Sequence, residues 1–426
     1  MTPTHASDQV TPELEGKRVT VAGWAEETRD MGGLLFLVLR DGHGKVQVTL
    51  AKKRVDASLF DAARAVPRES VVEVTGTVRR EPKAPGGCEL QPDSLRVVSA
   101  ARSPLPLDPS EKVPAELDTR LDARFLDLRR PAVQAIFRLR SELLQTLRAL
   151  FAERGFVEIY TPKILAAAAE GGAALFPVAY FEQEAFLAQS PQLYKQSIMA
   201  TGLDRVFEIG PIFRAEEHDT RKHLNEAVSI DVECAWMDDA QVMDLAEEVV
   251  AACYARAAGS RWLKPLQTEL KVPKRPFRRL TYREAVSLIP DHARFGEDLS
   301  TAAEKALGDR IGAPYFITDW PARLKPYYTQ PGSDPALCKG FDLMHPRMEL
   351  ASGGQRVHDP DLLEKRIREQ GLSPERFEFY LRAFRYGMPP HAGWGMGLDR
   401  LMACIVGAEN IREVVLFPRD RKRLVP

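Results

Sequence analysis

The chain has 426 residues, 44% hydrophobic and 28% charged, with a formal net charge of −1. Such a length suits two or three domains, and the balance is that of an ordinary globular protein. No apolar run approaches the ~18 residues that would read as a membrane span, and near-neutrality argues against a purely electrostatic nucleic-acid binder, while leaving room for local basic patches.

The N-terminus, Met1-Thr-Pro-Thr-His-Ala-Ser-Asp8, has no charged-then-apolar leader pattern. Residues 1–103 are β-rich: 19–24, 34–40, 46–50, 71–78 and 88–91 are strand-like runs separated by turn residues. Asp41-Gly-His-Gly44 reads as a hairpin turn. One helix-like stretch, 57–65, falls between the third and fourth runs. Five strands with a helix in that place predict an OB-fold barrel. If Leu35, Leu37 and Leu39 face its core, then Phe36, Val38 and Arg40 point out. Val46, Val48 and Leu50 likewise face in, leaving Gln47 and Thr49 outside. An outward Phe beside an outward Gln suits base stacking and base reading, though a covering loop or domain would serve Phe36 equally well.

Residues 104–131 read as a linker, with prolines at 104, 106, 109 and 114 and dense charge over 117–130. Pro131 suits a first helical turn, and Ile136, Leu139, Leu143, Leu147 and Leu150 follow at helical spacing until Gly155. Residues 132–426 alternate strand-like and helical stretches and should form one α+β domain. Five cysteines, at 88, 234, 253, 338 and 404, are scattered without a C-x-x-C pair. They read as reduced thiols of a cytoplasmic protein, with neither a zinc site nor a disulfide frame.

Four segments carry chemistry. Phe213-Arg214-Ala215-Glu216 lies between strand-like 206–210 and 228–233, followed by a polar loop. Arginine's permanent charge and planar fork suit phosphate, yet alone the segment equally fits a surface Arg–Glu pair. Gly395-Met-Gly-Leu-Asp-Arg400 leads into an apolar helix; its glycines would let backbone approach a ligand, or simply make a turn beside a solvated Arg. Asp342 and Glu349 flank a hairpin-like run followed by Ser352-Gly-Gly-Gln-Arg356. Their hard oxygens suit Mg²⁺, or mere solvation. Ser190-Pro-Gln-Leu-Tyr-Lys-Gln196 carries Lys195, by itself an exposed lysine at a helix start.

In chain order, Gly155 to Pro162, Phe213 to Glu216 and Gly395 to Arg400 resemble motifs 1, 2 and 3 of class II aminoacyl-tRNA synthetases. The resemblance covers nearly the whole chain and is nearest to the aspartyl enzymes in their compact, archaeal/eukaryal-type form. It implies an α+β protein: an OB-fold anticodon-binding domain at 1–103, a hinge at 104–131, and a class II catalytic domain at 132–426 whose antiparallel sheet is flanked by helices. By that likeness Arg214 holds the α-phosphate of ATP, Glu216 the adenine amino group, and Arg400 the γ-phosphate. Asp342, Glu349 and Ser352 match the Mg²⁺ region. Lys195 and Arg356 match the cations that meet the aspartate side chain. Gln192, Glu170 and Asp231 match groups that hold the amino acid's polar backbone. Arg29, Phe36, Gln47 and Glu89 match anticodon contacts, and Glu26 and Lys83 lie where the family tunes tRNA choice.

The likeness has departures. Glu226 is followed by Ala227 rather than an adenine-stacking aromatic, a role that passes to His223 as in compact relatives. The large domain that bacterial-type aspartyl enzymes insert between motifs 2 and 3 is missing. The implied activity is ligation of L-aspartate to tRNA(Asp), and to tRNA(Asn) as well, by a homodimer. The alternatives are an asparagine–tRNA ligase, against which Lys195 speaks, and an inactive RNA-binding paralogue, against which the intact charge set speaks.

Overall fold

The computed structural model describes residues 3–110, 112–166, 175–217 and 220–426. The chain divides into two units, Met1–Pro114 and Ala115–Pro426.

Alternation of side chains builds the first unit. Its strands are β1 (Arg18–Asp30), β2 (Leu34–Arg40), β3 (Lys45–Ala51), β4 (Val71–Arg80) and β5 (Cys88–Ser99), with α1 (Ala57–Arg64) between β3 and β4. They close a barrel in the order β1-β2-β3-β5-β4. Only β3 and β5 pair in parallel, through Gln47–Glu89 and Val48–Leu90. Leu35, Leu37, Leu39, Val46, Val48 and Leu50 fill one core with Phe60 of α1. Phe36, Val38 and Gln47 remain partly exposed on the outer face. β1 and β5 run well beyond the expected 19–24 and 88–91, because partner strands satisfy the backbone of their polar ends. Arg40, expected to point out, is buried and donates to Glu69 at 2.7 Å. Pairing makes that burial tolerable.

The second unit is built on an eight-stranded sheet. In spatial order the strands are Arg278–Thr281, Tyr315–Thr318, Gly340–His345, Met348–Gln355, His391–Gly397, Glu226–Ala235, Arg205–Phe213 and Val157–Glu158. The inner six are antiparallel, and each edge strand joins its neighbour in parallel. Helix Pro131–Glu153 ends before Gly155, which takes the left-handed conformation (φ +73°) that glycine tolerates. Its stripe of Ile136, Leu139, Leu143, Leu147 and Phe151 is buried in the same core as Phe207, Val232 and Leu401. Each such side chain contributes ~1.5–3 kcal/mol when fully buried. The stripe therefore faces the chain's own sheet.

The charged stretch set aside as linker behaves differently. It forms two short helices, Leu117–Asp122 and Arg124–Asp127, within the second unit. The Arg124 guanidinium is buried and donates to Asp127 and to the main-chain carbonyls of Glu413, Val415 and Leu416. Carbonyls that no strand or helix pairs need such a donor, which ties the segment down.

Candidate active site

Strand Glu226–Ala235 sets Asp231 opposite Gly395 and Glu233 opposite Gly393 on strand His391–Gly397. A Cβ at 393 would stand 2.2 Å from the Val232 carbonyl oxygen and 2.4 Å from Glu233 Oε2; one at 395 would stand 3.0 Å from Asp231 Oδ1. The glycine alternation thus clears space for two carboxylates, a role beyond the ligand approach expected of it.

On this floor opens a cleft of about 370 Å³. Gln192, Arg214, Glu216, His223, Asp231, Asp342, Glu349, Ser352, Arg356 and Arg400 all line it. Glu170 lies outside the described residues. Lys195 is not on the wall. It sits on helix Gln192–Ile198 with 1% exposure, so it is no surface lysine. Its ammonium donates to Asp231 Oδ1 and the Trp394 carbonyl at 3.0 Å each and to the Val232 carbonyl at 3.3 Å, and lies 3.5 Å from Glu233 Oε2. Arg356 donates to both Glu233 oxygens, Nε to Oε1 at 2.8 Å and Nη2 to Oε2 at 3.3 Å. Nη1 stays out of that pair. Burial opposes charge on Glu233, but Arg356 and Lys195 outweigh it and hold its pKa below the usual carboxylate value. Two cations and two anions are thus locked together under one end of the cleft.

Glu233 was absent from the expected set. Its parity with Asp231, two residues apart on one strand, was the available signal. Asp399 was also missed. Its carboxylate accepts from Arg140 Nη1 at 2.5 Å and from the Val228 amide at 2.8 Å, which pins the start of helix Leu398–Val406. Arg400, the next residue, then lies 3.7 Å from Glu349 Oε1 and donates to the Glu349 carbonyl at 3.1 Å. Arg214 leaves the end of strand Arg205–Phe213, exposed, its amide donating to the Asn225 carbonyl across the hairpin. His223 shares a hydrogen bond with Thr220 Oγ1 at 2.7 Å. Burial, and then Arg400, lowers its pKa, so the ring is neutral at neutral pH.

Asp342 and Ser352 face each other across the hairpin of strands Gly340–His345 and Met348–Gln355. Burial above all raises the Asp342 pKa, with Lys325 pulling the other way and Glu349 adding to the rise. Lys325, also missed, donates to both Asp342 oxygens at 2.7 Å. Among the described residues no group of three or more His, Cys, Asp or Glu side chains is spaced to hold a metal. Two carboxylates and a hydroxyl lining one cleft still fit Mg²⁺, which takes hard oxygens and usually only one or two protein carboxylates beside substrate phosphates.

The barrel carries a separate groove, about 970 Å³, lined by Arg29, Phe36, Gln47, Lys83 and Glu89 among others. Phe36 stands opposite Arg29 on β1 and Thr49 on β3. Glu89 Oε2 accepts from Thr49 Oγ1 at 2.5 Å and Gln47 Nε2 at 3.3 Å, so it faces the groove pre-aligned. Lys52, Lys53, Arg54 and Arg79 add positive charge at its rim, the basic patch the net charge had left open. Glu26 is turned to Lys45 at 2.8 Å, and the groove lining does not include it.

Residues 116–421 match the model of class II tRNA synthetases (D, K and N), and residues 19–98 match the OB-fold nucleic-acid-binding domain. The chain belongs to the class II tRNA synthetases of that group. Among curated relatives, aspartate–tRNA(Asp/Asn) ligase of Methanoculleus marisnigri is 57% identical over 98% of both chains. The protein of that name from Archaeoglobus fulgidus is 55% identical, again over 98% of both. Among solved structures, asparaginyl-tRNA synthetase from Pyrococcus horikoshii with asparaginyl-adenylate superposes with a TM-score of 0.94, at 34% identity over 100% of both chains. Aspartyl-tRNA synthetase from Entamoeba histolytica gives 0.88 at 32% identity, covering 100% of this chain and 93% of that one.

Proposed function

We propose that this chain activates L-aspartate with ATP and transfers it to tRNA(Asp) and tRNA(Asn). The observation that carries the reading is the buried pair of cations, Lys195 and Arg356, under one end of a cleft whose wall also carries Arg214 and Arg400. An aspartate α-carboxylate oxygen attacks the α-phosphorus of ATP and pyrophosphate leaves. The ribose hydroxyl at the tRNA terminus then attacks the aspartyl-adenylate carbonyl, and AMP leaves. Arg214 and Arg400 orient and offset the phosphates. His223 offers a neutral ring to adenine and Glu216 an acceptor to its amino group. Asp342, Glu349 and Ser352 would hold Mg²⁺, which would supply charge neutralisation at the phosphates. Gln192 and Asp231 hold the amino acid's polar backbone, with Glu170 as a further acid. Arg356, whose Nη1 lies outside the Glu233 pair, meets the side-chain carboxylate, and Lys195 adds its positive charge from behind the cleft wall; asparagine's neutral amide draws nothing from that charge.

On the barrel, Phe36 stacks on an anticodon base, Gln47 and Glu89 read base edges, and Arg29 and Lys83 add contacts. Relaxed tRNA choice is supported by the relatives of 55–57% identity, whose names carry both tRNAs. The chain works as a homodimer in the cytoplasm. The apolar helix stripe, spent on its own core, is not the dimer surface. The support is strand Val157–Glu158 at the sheet edge, with Val157, Tyr160 and Ile164 exposed beside it. No helix among the described residues is long and apolar enough to cross a membrane.

A second reading, asparagine ligation, draws on the likeness to the Pyrococcus horikoshii enzyme. Charging of tRNA(Asp) and tRNA(Asn) transcripts with labelled amino acids separates the two. Aspartate on both transcripts supports the proposal. A hundredfold preference for tRNA(Asp) would restrict it to one tRNA, and esterified asparagine would establish the second reading.

A further inference from the structure

Lys325 is the residue with the strongest unexplained contacts near the cleft. It caps the C-terminal end of a single 3₁₀ turn, Ala322–Leu324. Its ammonium donates to both oxygens of Asp342 at 2.7 Å each. The two side chains are 12% and 8% exposed. The same ammonium lies 4.2 Å from the centroid of the Trp320 ring. Asp342 therefore spends both oxygens on a cation that belongs to the chain. Glu349, on the other strand of the hairpin, lies 3.7 Å from Arg400. Each carboxylate oxygen keeps a second lone pair, but a divalent ion that took it would stand beside the ammonium, and the two cations would repel each other.

We propose that Lys325 is a tethered counter-ion that keeps Asp342 closed to divalent cations until nucleotide is present. The inference rests on the adenylation reading of the cleft. Triphosphate brings enough negative charge to draw the divalent ion in and to offset the repulsion from Lys325. The ammonium then has the face of Trp320 to rest on, since a cation is attracted to an indole face even without the carboxylate. Lys325 also lines the adjoining cavity as well as the cleft, so displacement moves it toward open space. Lys325 is on this account a positioning residue that sets the order of binding: metal with nucleotide, not before it. A merely structural lysine would hold Asp342 in place and leave the metal preference untouched.

The test is Mn²⁺ binding in the absence of nucleotide, followed by the electron paramagnetic resonance of free Mn²⁺. Wild type and Lys325→Arg, which keeps the charge, should bind weakly and alike. Lys325→Met should bind at least tenfold more tightly, and its thermal midpoint should rise with Mn²⁺ while that of wild type stays put. Asp342→Asn combined with Lys325→Met should lose the gain, which assigns it to this carboxylate. Should Lys325→Met fail to fold, Lys325→Gln takes its place. Equal Mn²⁺ affinity in wild type and the uncharged variant would overturn the proposal, as would tight nucleotide-free binding by wild type. Wild-type pyrophosphate exchange with aspartate is measured alongside. Its absence would sink the adenylation reading, whereas the Mn²⁺ ratio bears on Lys325 alone.

Discussion

Replacing Lys195 by leucine tests two properties of the site at once. The ammonium makes hydrogen bonds to Asp231, Val232 and Trp394 with 1% of the residue exposed. Removing it leaves Asp231 and two carbonyls buried without their donor, whereas Glu233 keeps Arg356. Breaking one side of a buried pair typically costs ~3–5 kcal/mol. Part of that should appear as lost stability in urea denaturation, whatever the substrate. The rest should appear as lost discrimination, because the charge that sets aspartate above asparagine is halved. The kcat/KM ratio for aspartate over asparagine in pyrophosphate exchange should fall by about a hundredfold, or ~2.7 kcal/mol. Lys195→Arg, longer and still charged, should retain more of the ratio than of the rate. A folded Lys195→Leu protein whose ratio moves by less than about threefold would refute the reasoning and make Lys195 purely structural.

Three further outcomes are expected. Gly393→Ala puts a methyl 2.2 Å from a backbone carbonyl and 2.4 Å from Glu233 Oε2; the midpoint of urea unfolding should drop and aspartate KM should rise, and a variant as stable as wild type would count against the floor described for the cleft. Phe36→Ala should leave aspartate-dependent exchange nearly intact and weaken aminoacylation by the ~1–3 kcal/mol that base–aromatic stacking contributes; unchanged charging of both tRNAs would remove the anticodon role from that groove. His345 and His391 are pushed down to about 4 by burial. Their folded pKa values lie below the unfolded value near 6.5, so the unfolded chain takes up protons first and stability falls as pH drops from about 6.5 to about 4. Each contributes up to ~3 kcal/mol to that fall. The slope of stability against pH should flatten in His391→Gln, and an unchanged slope would contradict the assignment.

How much of this was legible beforehand depends on the distance over which each signal acts. The barrel core was readable because alternation in 34–40 and 46–50 is local and the pleat enforces it. Leu35 and Val48 obeyed it; Arg40 did not, since Glu69 lies on another segment and pairing replaced solvation. The cleft's cations and acids were legible only through the resemblance, since each segment alone fits a surface pair, a turn or a solvated acid as well. Their partners did not stand out. Lys325 meets Asp342, Asp399 meets Arg140, and Arg124 meets carbonyls near 415, each across a sequence gap that no periodicity spans. The charged run at 117–130 misled for that same reason: charge reads as solvation until a buried acceptor is known. The stripe on helix Pro131–Glu153 showed its period correctly, but a period cannot say whose core it faces.

The central claim is best tested by exchange of pyrophosphate into ATP by the purified protein, one amino acid at a time, with magnesium present. The account predicts exchange with L-aspartate, exchange with L-asparagine weaker by at least a hundredfold, and none without magnesium. Equal or greater exchange with asparagine would contradict the role given to Lys195 and Arg356. Tight tRNA binding with no exchange on any amino acid would show a chain that keeps the fold and has lost the chemistry.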